Sequence, residues 1–79
     1  MARTIRSPGH EALCHALIDA RKTAGLTQAE LAARLHCHQS FVARVESGQR
    51  RIDVVELVVL VRVLGGDAET IFRLVEAET

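Results

Sequence analysis

The sequence contains no tryptophan and no tyrosine, and phenylalanine occurs only twice in 79 residues. Without large rings, a core has to be filled by leucine, valine, isoleucine and alanine. Such a core suits short helices packed side by side and leaves little room for a pocket that buries a substrate. Cysteine occurs twice, as Cys14 and Cys37, which is too little for a disulfide framework. No signal-peptide pattern opens the sequence, so a reducing, cytoplasmic setting is expected. The apolar stretch from Val54 to Leu64 is interrupted by Glu56 and Arg62. It is too short to cross a bilayer, and no membrane partner is expected. Neither a strand alternation nor an internal repeat is present.

An excess of either charge is also missing, since ten Lys/Arg balance ten Asp/Glu. The balance is not local. Residues 1–51 carry eight basic and four acidic side chains, and residues 52–79 carry two basic and six acidic ones. A basic half joined to an acidic half implies one surface facing a polyanion and another with separate duties. Phosphate binding depends on local charge, so a net of zero does not oppose it.

What the sequence does have is punctuation for five helices. Residues 1–6 lack periodicity and read as a flexible basic arm. Ser7-Pro8 reads as an N-cap followed by proline at the first helical position. Leu13, Leu17, Ala20 and Ala24 then share one helix face, up to Gly25. Thr27 and Glu30 form a capping box for a second helix through Leu31, Ala32 and Leu35. After a turn at His36-Cys37-His38, a third helix runs from Gln39 to Ser47, with Val42 and Val45 inward and Gly48 closing it. Asp53 and Glu56 repeat the capping box for a fourth helix ending at Gly65-Gly66. Asp67 caps a fifth helix carrying Ile71, Phe72, Leu74 and Val75. The fold class is therefore all-α, a five-helix bundle over residues 7–79.

The segment Gly25 to Gly48, two short amphipathic helices joined by a tight turn, resembles the Cro and lambda-repressor-like helix-turn-helix family, also called xenobiotic-response-element-like. The matching features are Arg21, Leu26-Thr27-Gln28, Glu30-Leu31-Ala32, Gln39-Ser40, Val42, Val45-Glu46 and Gly48, then Leu57, Leu60 and Leu64. They extend over roughly residues 13–72. The resemblance implies double-stranded DNA as partner, with the third helix in a major groove about 12 Å wide. Gln39, Ser40, Ala43 and Arg44 lie opposite Val42 and Val45. There the amide can pair with adenine and the guanidinium with guanine. Phe41 is either exposed, with its ring against a thymine methyl, or partly buried. Gln28, Ser47, Arg50 and Arg51 suit phosphate contacts. The resemblance also implies an internal ion pair between Arg21 and Glu46.

The turn departs from the family pattern. His36 stands where glycine is usual and is expected at positive φ, and His38 stands where a Ser or Thr cap is usual. Cys37 takes a usually apolar position. His10, Cys14 and His15, with the turn residues, are ligand types. Their spacing matches no zinc finger or ribbon, so no metal and no cofactor are expected. No nucleophile–base pair, phosphate loop or acid pair is present, so no catalytic residue is assigned and no enzyme is expected.

The fourth helix is apolar nearly all round, which requires burial on more than one side. A homodimer is expected, with the C-terminal helices as interface through Val58, Val61, Leu74 and Val75. The reading is a dimeric regulator, a repressor by occlusion, on an inverted-repeat operator in a prokaryotic or phage cytoplasm. Two alternatives are an antitoxin with autoregulatory DNA binding and a restriction–modification controller. They would add a toxin or a polymerase as a second protein partner.

Overall fold

Local chemistry at the helix starts organises most of the chain. The computed structural model describes residues 7–79, and among these it contains five α-helices and no strand. They are α1 (Pro8–Thr23), α2 (Gln28–Leu35), α3 (Gln39–Ser47), α4 (Val54–Val63) and α5 (Ala68–Glu78). The arm expected at residues 1–6 lies outside the described residues. Ser7 Oγ accepts from His10 N ahead of Pro8. Thr27 with Glu30 and Asp53 with Glu56 form complete capping boxes for α2 and α4, and Asp67 accepts from Glu69 N for α5. Each such cap satisfies a backbone donor that the first turn would otherwise leave to water.

The core is aliphatic. Leu17 of α1, Leu26, Leu31 and Ala32 at α2, and Val42 and Val45 of α3 meet Leu60, Val61 and Leu64 of α4 and Ile71 of α5. α5 packs chiefly along α1, while α2 packs on α3 and α4. Gly9 is buried where α1 starts, and a β-carbon there would run into Thr79 Oγ1 at the end of α5. Its missing side chain lets the two helices approach. Ala24, counted with the buried line of α1 from its spacing, is exposed, because α1 has already ended and Ala24 is its C-cap.

The interface expected on the C-terminal helices needs correction. Val61 is only 1% exposed and sits in the monomer core with Leu60 and Leu64. Val75 is half-buried beside Gly9 of α1, and Val58 is half-buried. Of the four residues only Leu74 is clearly exposed. A run of valines fixes no angular origin for a helix, so periodicity could not say which of them faces in. The outward valines are Val54, Val55 and Val59, at 75%, 72% and 49% exposure. No helix among the described residues is long and apolar enough to cross a membrane.

Candidate nucleic-acid interface

α3 has two chemically distinct faces. Val42, Val45 and Glu46 are buried against the other helices. Gln39, Ser40, Arg44 and Ser47 are exposed on the other side, with Ala43 half-buried. The outward set thus offers an amide, hydroxyls, a methyl and a guanidinium, the groups that read base edges in a major groove.

Beneath this face runs a continuous set of hydrogen bonds. Arg21 donates from Nε to Glu46 Oε2 at 2.6 Å and from Nη2 to Glu46 Oε1 at 3.0 Å, and its Nη1 donates to Leu26 O at 2.8 Å. Gln28 Nε2 donates to Glu46 Oε1 at 2.9 Å, and Gln39 Nε2 donates to Gln28 Oε1 at 2.7 Å. The chain of contacts begins at a pair whose side chains are 11% and 7% exposed and ends at the solvent-facing start of α3. The hydrogen bonds with Glu46 raise the Arg21 pKa, so the guanidinium stays charged in its partly desolvated position. This forked pairing holds α1, the start of α2 and α3 in one register. It also fixes the amide of Gln39 through Gln28, a link that spacing along the sequence did not indicate.

Beyond α3 the chain folds back. Gly48, at φ 86, ends the helix in the left-handed region, and Gln49 N and Arg50 N donate to Arg44 O at 2.9 and 3.1 Å. This reversal brings the Arg50 guanidinium over the Phe41 ring, 4.7 Å from its centroid. Arg50 also donates from Nη1 and Nη2 to the two carboxylate oxygens of Glu56, at 3.1 and 3.0 Å, and from Nη1 to Arg51 O. Glu56 is thereby held below the usual glutamate pKa, first by Arg50 and then by the backbone of Asp53. Of the two readings of Phe41 from sequence, the structure places it half-buried, packed on the core and covered by Arg50. Arg50, assigned to phosphate from sequence, is committed to Glu56 and Phe41. Ser47 Oγ donates to Arg44 O, and Arg51 is exposed at the rim.

The turn between α2 and α3 has the geometry its residues imply. His36 adopts φ 56, ψ 42 as the C-cap of α2, and the extended His38 makes no side-chain hydrogen bond to the start of α3. Cys14 and Cys37 are free thiols, both with pKa pushed up by burial, and Cys14 Sγ donates to Val45 O at 3.4 Å.

The sequence pattern of a helix-turn-helix domain family matches residues 12–74. Among solved structures, an XRE-family like protein from Pseudomonas syringae pv. tomato str. DC3000 is 42% identical and superposes with a TM-score of 0.84. That likeness covers 99% of this chain and 95% of the other. Among curated protein sequences none matches.

Proposed function

The chain belongs to the XRE-like helix-turn-helix family of DNA-binding transcription regulators, and from that premise we propose that it is a repressor binding an inverted-repeat operator as a homodimer. α3 enters the major groove with its N-terminal end leading. Gln39 and Arg44 pair with base edges, Ser40 adds a hydroxyl, and the Ala43 methyl packs on a thymine methyl. Gln28 with the first backbone N–H groups of α2, together with Ser47 and Arg51, holds phosphates and sets the register. Phe41 and Arg50 brace the loop that follows α3. Repression follows by occlusion, since a helix lodged in a promoter groove excludes polymerase.

The observation that carries this reading is the Gln28–Gln39 hydrogen bond, continued to Glu46 and Arg21. A flexible glutamine at an exposed helix start is ordinarily free to rotate. Here its amide is held before any ligand arrives, which lowers the ordering cost of a base contact. Selection of binding sites from random duplex DNA is expected to yield an inverted repeat with half-sites about one helical turn, roughly 34 Å, apart. On that site Arg44→Ala should weaken specific binding by about 1–3 kcal/mol and relax preference at one base pair per half-site. Unchanged operator affinity for Arg44→Ala would overturn the placement of α3.

A further inference from the structure

α4 has a second face that nothing in the described chain covers. At 100° per residue, Leu57, Leu60, Val61 and Leu64 turn towards the core, and the opposite side carries Val54, Val55, Val58 and Val59, followed by Arg62. Three of these valines are among the most exposed large apolar residues of the described chain. The stripe runs into a groove of about 290 Å³ lined by Leu35, Cys37, Phe41, Val55, Val59 and Leu60. Glu56 borders it, but its carboxylate is already paired with Arg50. A continuous apolar surface on a chain in which 25% of residues are charged marks a place of contact.

We infer that this outer face of α4 is where two copies of the chain pair, antiparallel about a two-fold axis passing near Val58. The inference rests on the DNA-binding reading only for its biological use. The stripe ends in opposite charges, with Asp53 at the N-terminus of α4 and Arg62 in its last turn. They are nine residues apart, which is about 14 Å along a helix. Antiparallel pairing sets Arg62 of one copy beside Asp53 of the other, and parallel pairing would set like beside like. The stripe is therefore complementary to itself under a two-fold axis, as an isologous contact requires. Asp53 Oδ1 accepts from Glu56 N and so keeps its second oxygen for such a partner. Valine side chains also lose little rotamer freedom on contact. Four valines on a ten-residue helix fall well short of the roughly 800 Å² per partner of a stable interface. Pairing is accordingly weak in free solution and strengthens when neighbouring half-sites hold two copies side by side.

The test uses the full chain, at high concentration alone and with an inverted-repeat duplex. Val58→Cys is expected to form a disulfide-linked dimer on mild oxidation, well above the wild-type background from Cys14 and Cys37. Leu74→Cys on α5 should stay at that background. Val55→Asp should keep its helical circular dichroism and its affinity for a single half-site. Its dimer dissociation constant by sedimentation should rise about tenfold or more, and cooperative binding to the full repeat should be lost. Cross-linking at 74 in place of 58, wild-type dimerisation by Val55→Asp, or a wild-type chain monomeric even on the full repeat would each overturn the assignment. Linkage through position 58 without any sequence-specific DNA binding would uphold this face and sink the repressor reading instead.

Discussion

Beneath α3, Arg21 and Glu46 meet with side chains 11% and 7% exposed; just beyond its C-terminus, Arg50 and Glu56 meet with side chains 42% and 33% exposed. Both pairs are two-pronged, and both tie α3 to another helix. The solvent around them sets their roles. Removing one partner of the inner pair strands a charge in a place water reaches poorly, whereas the outer pair can exchange each lost contact for water. The inner pair is therefore a condition of the fold, and the outer pair tunes the loop between α3 and α4.

The sharpest way to break this contrast is Glu46→Ala. It leaves the Arg21 guanidinium without its carboxylate and Gln28 without its acceptor, and should cost about 3–5 kcal/mol in urea unfolding. For so small a domain that is a large share of the total stability. A cost similar to that of an exposed pair would mean that burial does not distinguish them. Arg50→Ala comes next, at about 1 kcal/mol from a partly exposed ion pair and the cation–π contact together. Its coupling to Glu56→Gln in a double-mutant cycle should shrink as salt is raised. The outer pair also carries a pH signature. Glu56, and likewise Glu30 through its bonds to Thr27, has a folded pKa below the usual glutamate value. Their contribution is present above that usual value and is lost as pH falls through the lower folded one. Thermal melts in this acidic range should be flatter for Glu56→Gln and Glu30→Gln than for wild type. The smallest effect belongs to Arg73→Ala, which removes an i,i+4 pair with Glu69 whose side chains are 70% and 67% exposed. It should change stability by only a few tenths of a kcal/mol. A larger loss than for Arg50→Ala would reverse the ranking by burial.

The parts of this molecule that were legible in its sequence are those set by near neighbours. Ser7, Thr27, Asp53 and Asp67 announce the helix starts because a cap acts within three residues. His36 and His38 announce a left-handed cap and an uncapped start for similar reasons. The outward set on α3 follows from Val42 and Val45 fixing its inner face. What could not be read depends on how distant segments meet. Phe41 and Arg50 come together only because the chain reverses at Gly48. Gln28 reaches Gln39 only because α2 and α3 cross there. Val61 was assigned outward because α4 is apolar all round, and only packing against Leu17 and its neighbours selects its inner side.

The separation of the two faces of α3 bears on how this domain can change over generations. Ser40 and Arg44 are exposed and contribute nothing to the core, and Ala43 is only half-buried. Substitutions at these positions leave the packing of Val42 and Val45 intact, so a lineage can drift to a new target sequence without passing through an unstable intermediate. Gln39 is the exception, because its amide is bonded through Gln28 to the carboxylate that Arg21 also needs. A change there reaches inward, and compensating changes at position 28 should accompany it.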